Sequence, residues 1–280
     1  MTDRLLTWTL GAATLMVASL IAIIAAFLLN ESLGMLNRVE LGRFFTDSGW
    51  SPTMSRFNIL PMIVASVLLM AGAVIVASPL AVLTAVFLRF YAPSPVIDIG
   101  RRIIEVLAAM PSVVYGLWGL VVLVPIIAAW QQPGASLMAG ILVLSLMIFP
   151  TITIVVHSGL TAMPRRYIEA SQALAMSRAY MVRQVVLPAV RASIAAGITL
   201  GAARAIGETM AVMMVTGNIV AVPGDLFDPV RALTSNIALE MAYALGDHRG
   251  ALYISSLLLL AIVILLVLIN EFIVSNKLEH

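Results

Sequence analysis

Residues 163–188 read MPRRYIEASQALAMSRAYMVRQVVLP, a polar stretch of helix-forming residues between two apolar runs. Pro164 suits the first turn of a helix, and Pro188 a break before the next apolar run. The apolar residues of the stretch are spread amphipathically: Ile168, Leu174, Met176, Tyr180 and Val182. Such a segment could lay a short helix in the groove of a soluble partner. It could equally rest on lipid headgroups, with its arginines meeting anionic lipid.

The composition around this stretch is that of a membrane protein. Of the 280 residues, 61% are apolar and only 11% are charged, and the mean hydropathy is +1.06. A soluble domain is about half apolar and about a quarter charged. The same numbers exclude a disordered chain, a collagen-like chain and a disulfide scaffold.

Charge-free windows locate six membrane-spanning helices, because a span needs about 20 largely uncharged residues. The turn at Trp130–Gly134 divides the longest window into two spans. Spans are predicted near residues 6–29, 60–87, 106–129, 136–158 and 193–220, and between Arg249 and Glu271. This predicts an all-α, polytopic fold in one membrane domain, residues 1–277, with residues 278–280 as the remnant of an affinity tag.

The distribution of basic residues orients these spans. On one side lie Arg4, Arg89, Arg101, Arg102, Arg165, Arg166, Arg178, Arg183, Arg191 and Lys277. On the other side lie only Arg38, Arg43, Arg56, Arg231 and Arg249. By the positive-inside rule, both termini and the 163–190 loop are expected in the cytoplasm.

Several chemistries are excluded by residue type. The chain has no cysteine, and its three histidines lie far apart, which gives no metal-ligand spacing. A P-loop needs Gly-Lys-Ser/Thr, but the single lysine, Lys277, stands between Asn276 and Leu278. We therefore expect no enzyme activity and no ATPase site in this chain. No cofactor and no nucleic-acid partner are expected.

Two charges interrupt the fifth predicted span. Arg204 lies near its middle, where a charged side chain costs roughly 2.5–3.5 kcal/mol on insertion scales. Glu208 is four residues further on, so in a continuous helix the two side chains share a face and can pair. The pair could join two helices. Alternatively, Arg204 could bind an anion, since a guanidinium suits tetrahedral oxyanions, while Glu208 prevents too tight a hold.

The third predicted span carries a weaker signal. Ser112 follows Pro111, and Tyr115 precedes Gly116, so this segment could unwind a turn and line a path. The pattern favours an ordinary kink whose backbone groups are satisfied by neighbouring helices.

The 163–190 loop resembles the coupling loop of ABC-importer permeases. That pattern is Glu-Ala-Ala, three residues, Gly, nine residues, Ile, one residue, Leu-Pro. Its opening is matched by Glu169, Ala170 and Ser171 and its end by Val185, Leu187 and Pro188, while Ala175 takes the place of the glycine. A glycine there eases the bend between two short helices.

Other segments narrow the resemblance to the Pst-type phosphate permeases, particularly the PstC-like subunit. They are FLRFYAP at residues 87–93, EVLAAMPSVVYG at 105–116, RAIGETMA at 204–211 and DPVRALTSNIA at 228–238. The resemblance runs from about residue 60 to the end of the chain.

The resemblance implies a type I ABC-importer permease fold in a bacterial or archaeal cytoplasmic membrane. It implies a second, PstA-like permease, two copies of a PstB-like ATPase that uses ATP and Mg²⁺, and an external PstS-like phosphate-binding protein. Arg204, Glu208 and Thr209 would belong to the translocation path, with Ser112 and Tyr115 as possible lining. The loop from Glu169 to Pro188 would receive the motion of the ATPase, and transport would proceed by alternating access.

Three other functions stay open at this level. The chain could be an ABC permease for another oxyanion, such as phosphonate, sulfate or molybdate. It could be a stand-alone secondary anion transporter or channel, which would work without an ATPase. It could also be a membrane scaffold in which Arg204 and Glu208 only join helices. An intramembrane enzyme is the least favoured, because the sequence offers no metal constellation, no thiol and no Ser–His pair placed at one depth.

Overall fold

The computed structural model describes residues 2–275, with side chains for residues 6–269, and these residues are predominantly helical. The predicted tag remnant, 278–280, and Lys277 lie outside the described residues. The elements in chain order are α1 (Thr2–Leu36), α2 (Arg43–Thr46), β1 (Trp50–Ser51), β2 (Arg56–Phe57), α3 (Leu60–Phe90), α4 (Ser94–Ala109), α5 (Ser112–Trp118), α6 (Val124–Ala128), α7 (Leu137–Ala162), α8 (Arg165–Ala173), α9 (Arg178–Met181), α10 (Leu187–Ala189), α11 (Arg191–Gly207), α12 (Met210–Val215), α13 (Leu233–Glu240) and α14 (Gly246–Ser275).

Four helices are long and apolar enough to cross a membrane: α1, α3, α7 and α14. Two further spans are bent. One combines α4 with α5 and α6 across a 95° bend, and the other combines the helical stretch Arg178–Ala189 with α11 across a 68° bend. If each bent pair is counted as one span, the total is six, as the sequence predicts.

The third span differs from the predicted 106–129. Residues 106–109 belong to α4, and a new helix starts at Ser112. Pro111 has no N–H to continue the ladder and forces the preceding residue away from helical angles; Met110 is accordingly extended, with ψ 133°. The window placed the boundary wrongly because Val106 to Ala109 are as apolar as the span itself. The predicted kink is a complete break.

The fifth span is not the continuous helix predicted for 193–220. The helix α11 ends at Gly207, Glu208 is extended with φ −70° and ψ 130°, and α12 restarts at Met210. Residues 216–232 are irregular and lead back to α13. The hydropathy of the fifth predicted span therefore gives no sign of this helix break.

The core is built where α3 packs along α7. Every fourth residue of one face of α3 is a buried alanine: Ala73, Ala77, Ala81 and Ala85. Large buried residues of α7, among them Met147 and Ile152, belong to the same cluster. Small residues let helix backbones approach closely, which drives association in a membrane.

The two ends of this bundle carry different structures. One end, which we call the hairpin face, holds α2, the β1–β2 hairpin and α13. Glu240 of α13 accepts hydrogen bonds from Arg231 Nη1 and Trp50 Nε1, both at 2.8 Å, and its other near neighbour is His248 Nε2 at 2.8 Å. The opposite end, the coupling face, holds α4 and residues 163–190, which we call the coupling segment. Both α1 and α14 run between the two faces, so Thr2 and Ser275, the first and last described residues, lie towards the coupling face.

Candidate anion path and coupling segment

Arg204 lies in the last turn of α11, beside the helix break. Its side chain is half-buried, and its Nη1 donates a hydrogen bond to Thr151 Oγ1 of α7 at 2.9 Å. The end of α11 carries a partial negative charge from its unpaired carbonyl groups, which stabilises a cation there. The guanidinium is therefore stabilised by two groups, the carbonyl end of α11 and the Thr151 hydroxyl.

The predicted pairing of Arg204 with Glu208 is wrong. No ion pair between them occurs among the described side chains. The i, i+4 geometry requires a helix that continues, and α11 ends between the two residues. The carboxylate of Glu208 instead accepts a hydrogen bond from Ala211 N at 3.1 Å, which caps the start of α12. The Arg204 guanidinium is thus left without a carboxylate partner in the described part of the chain.

The other predicted path residues surround this break unequally. Thr209 is half-buried, and its hydroxyl donates to Gly207 O at 3.4 Å. Tyr115 is buried, and its hydroxyl donates to Leu107 O at 2.6 Å, which ties α5 back to α4 across the 95° bend. Ser112 starts α5 and is half-buried, and no contact given for the described residues joins it to Arg204.

Two threonines of the site were not found from the sequence. Thr151 holds Arg204, and Thr234 of α13 donates from its hydroxyl to Glu208 O at 2.9 Å. Thr151 follows Pro150 in an apolar run, where it is an isolated polar residue. Thr234 lies within the 228–238 segment that carries the family resemblance, but no role was predicted for it from the sequence. Their partners lie 53 and 26 residues away in the chain.

The coupling segment forms a helix–turn–helix at its own face of the membrane. Glu169 and Ala170 are exposed on α8, whereas Ser171 is buried and donates to Tyr167 O at 2.7 Å. In α10, Leu187 is half-buried and Pro188 is exposed. The helical stretch ending at Ala189 meets α11 at the 68° bend, so this segment leads directly into the helix that carries Arg204.

The turn between α8 and α9 is made by Ala175, the residue at the glycine position of the coupling-loop pattern. Ala175 has φ +54°, a left-handed conformation. A side chain there costs roughly 1–2 kcal/mol relative to glycine. The backbone bend that glycine eases is therefore present here with alanine.

A basic side chain fastens the coupling segment to the core. Arg178 Nη1 donates to Phe90 O at 3.0 Å, and its guanidinium lies 5.6 Å from the centre of the Tyr91 ring. Both partners lie at the end of α3. A displacement of α9 is thus passed to the helix that forms half of the core.

The described residues offer no group of three or more His, Asp and Glu side chains that could hold a metal ion.

The chain matches the family model described as "Binding-protein-dependent transport system inner membrane component" over residues 77–277. It is 35% identical over 275 residues to the "Probable ABC transporter permease protein YqgH" of Bacillus subtilis (strain 168), covering 95% of this chain and 89% of that protein. It is 31% identical over 288 residues to the "Phosphate transport system permease protein PstC" of Mesorhizobium japonicum, covering 95% and 86%.

Solved structures agree on the fold. The inward-facing MetNI methionine ABC transporter superimposes with a TM-score of 0.62 at 18% identity, covering 81% of this chain and 99% of that one. At this identity the likeness shows the fold alone, which is that of a type I ABC-importer permease. In such transporters ATP hydrolysis belongs to a separate subunit. The chain therefore belongs to the family of binding-protein-dependent transport system inner membrane components, as a multi-pass ABC permease subunit.

Proposed function

We propose that this chain is the permease subunit through which an ATP-driven importer moves inorganic phosphate across the cytoplasmic membrane. The observation that carries the proposal is the half-buried Arg204 guanidinium, held by the Thr151 hydroxyl and by no carboxylate of the described residues. The PstC relatives, named as phosphate transport permeases, support this choice of anion.

The chemistry of Arg204 fits a tetrahedral oxyanion. A guanidinium has five N–H donors in a planar fork and keeps its charge at any physiological pH. In the bundle interior the low dielectric constant strengthens its attraction for a phosphate dianion. Glu208 lies close in the chain, but its carboxylate caps α12 and forms no ion pair with Arg204 among the described side chains, so the guanidinium can bind an anion.

The helix break next to Arg204 supports alternating access. Gly207 and Thr209 flank Glu208, where the chain changes from helix to extended backbone and back within three residues. Such a break absorbs changes in backbone angle when domains move. We infer that the path opens alternately on either side of this break, with Arg204 next to the point that changes.

The partners and the orientation follow from the same proposal. Of two copies of a PstB-like ATPase, which use ATP and Mg²⁺, one docks on the coupling segment at Glu169, Ala170 and their neighbours, and the other docks on the second permease. A PstA-like permease completes the path, and a PstS-like protein delivers phosphate at the hairpin face. The coupling face and both termini are then cytoplasmic, in agreement with the excess of basic residues on that side.

The proposal is tested by transport in a defined system. The chain is reconstituted in liposomes with its ATPase, its second permease and its binding protein, and labelled phosphate uptake is measured with and without ATP. We expect ATP-dependent uptake that excess unlabelled phosphate suppresses and that sulfate, molybdate and methylphosphonate leave unchanged. Suppression by one of those anions instead, or uptake without ATP, would contradict the assignment.

A further inference from the structure

A cavity of ≈ 460 Å³ opens at the coupling face, between α4, α7 and the end of α3. Its polar lining comes from Arg101 and Glu105 of α4 and from four residues of α7: Thr153, His157, Ser158 and Thr161. We call this space the coupling-face cavity. Neither the sequence patterns nor the site around Arg204 uses it.

The cavity lies on the same face of α7 as the Arg204 contact. Thr151, which binds Arg204, is followed on that face by Ser158 and Thr161, and both of these line the cavity. Residues seven and ten positions apart in a helix fall within about a quarter of a turn of each other, and at 1.5 Å per residue they lie about 10–15 Å along the axis. An anion leaving Arg204 towards the coupling face would therefore meet this cavity next.

The charges around the cavity favour an anion. Arg101 has no ion pair among the described side chains, although Glu105 is one turn away on the same helix. Arg89 follows Leu88 at the end of α3, and Leu88 lines the cavity. Glu105 is the only acid in the lining, and apolar residues such as Leu88 and Ile104 form its walls.

The adjacent arginine shows what an ordinary surface cation looks like on this helix. Arg101 and Arg102 are both exposed on α4, but only Arg101 is part of the cavity lining. A basic residue that only meets lipid headgroups requires no cavity with hydroxyl donors beside it. Arg101 differs from Arg102 because it lines a cavity that also contains hydroxyl groups.

We propose that the coupling-face cavity is a second anion-binding site, which phosphate occupies after it leaves Arg204. The inference rests on the proposed function and extends it to the cytoplasmic half of the path. Arg101 binds the phosphate oxygens, and the Ser158 hydroxyl donates a hydrogen bond. The Thr161 hydroxyl, which donates to His157 O at 2.8 Å, exchanges this bond for one to the anion, and the Glu105 carboxylate keeps the affinity low. Two weak sites in series allow an ion to enter and still to leave, as in conduction through multi-site pores.

The test compares Arg101→Gln with Arg102→Gln in the complete transporter, reconstituted in liposomes. Labelled inorganic phosphate uptake and ATP hydrolysis stimulated by the loaded binding protein are measured together. We expect Arg101→Gln to lower uptake about tenfold, the effect of losing a hydrogen-bonded charge, while ATP hydrolysis stays within about twofold of wild type. Arg102→Gln should leave both rates unchanged, and Arg101→Lys should restore uptake in part. A Ser158→Ala, Thr161→Val double variant should also lower uptake without lowering ATP hydrolysis.

Two results would overturn the inference. Equal uptake in Arg101→Gln and Arg102→Gln would remove Arg101 from the path while leaving phosphate import intact. A parallel loss of uptake and ATP hydrolysis in Arg101→Gln would place Arg101 in ATPase coupling instead. Failure of the wild-type transporter to import phosphate is a separate result, and it would overturn the proposed function together with the second site.

Discussion

At the scale of single residues, the unusual feature is a charge in an apolar bundle that lacks an opposite charge. Burial of an ion is tolerated when polar groups replace its water, and Arg204 has two such substitutes. The Thr151 hydroxyl accepts one hydrogen bond, and the carbonyl end of α11 supplies a partial negative charge. Neither cancels the positive charge, so the guanidinium stays available to an anion.

Ala175 provides a residue-scale prediction for the coupling segment. Because its φ of +54° strains an alanine, Ala175→Gly should stabilise the turn between α8 and α9 by about 1 kcal/mol. Slower hydrogen exchange of the amides in residues 165–181 would report this. Ala173→Gly is the matched control, because it places glycine at a helical position and should speed exchange. Faster exchange in Ala175→Gly would contradict the strain argument.

The residues of the site were only partly predictable from the sequence. Arg204 was identifiable because a charge in an apolar run is costly. The possible pairing with Glu208 assumes a continuous helix, although Gly207, a residue type that favours helix ends, lies between the two residues. Thr151 and Thr234 contact residues that are far away in the chain. Which distant helix a hydroxyl contacts cannot be read from a single sequence.

At the scale of helices, the close contact between α5 and α12 depends on Gly116. A methyl group there would lie 2.7 Å from Ala211 Cα and 2.9 Å from Met214 Sδ. Gly116→Ala should therefore push α12 away from α5 and destabilise the protein by about 1–3 kcal/mol. The thermal unfolding midpoint of the purified chain in detergent would measure this loss.

The control for that experiment is Gly207→Ala. A methyl group at Gly207 meets nothing within 4 Å, and the residue ends α11. Its unfolding midpoint should equal or exceed that of wild type, since alanine favours a helix. Equal midpoints in both variants would show that the α5–α12 contact does not limit stability.

The stability of the β1–β2 hairpin is expected to depend on pH. The Asp47 carboxylate accepts a hydrogen bond from Phe57 N at 2.9 Å, and this bond, with Arg43 as a further contributor, holds the pKa of Asp47 below its ordinary 3.8. A lowered pKa in the folded state stabilises the hairpin above the ordinary pKa, and this contribution is lost as the pH falls through the lowered value.

We therefore expect the β1–β2 hairpin to keep equal protection between pH 7 and pH 5 and to lose it below about pH 3.8. Hydrogen exchange of residues 50–57, corrected for the intrinsic rate at each pH, measures this. Asp47→Asn should exchange faster at neutral pH and lose the acid-induced step. An acid step of the same size in Asp47→Asn would assign the transition to another group.

The helices themselves were more predictable than their ends. Charge-free windows located α3 and α7 closely, because a charge is excluded from the apolar interior of a bilayer whatever the fold. The same windows could not show that α4 lies at 95° to α5, or that α11 stops at Gly207. An apolar segment indicates burial in lipid or protein. Where a helix breaks depends instead on backbone angles and on capping groups such as the Glu208 carboxylate.

At the scale of the whole molecule, the coupling segment and the anion site are connected by one helix. The chain leaves α10 through the 68° bend, continues as α11 and reaches Arg204 in its last turn. The length of α11, 17 residues, corresponds to about 25 Å. A rotation of α9 and α10 by a docked ATPase would thus tilt the helix whose far end carries the guanidinium, while Arg178 holds α9 to α3.

The most direct test of this account is labelled phosphate uptake by the complete transporter with Arg204→Gln, beside wild type and Arg102→Gln, after equal assembly has been verified. The loss of the Arg204 charge should lower uptake at least about a hundredfold, the effect of removing a partly buried charge that binds its ligand by more than one hydrogen bond. Uptake in Arg102→Gln should equal that of wild type. Uptake in Arg204→Gln equal to wild type would contradict the account, because the guanidinium would then not contact the anion.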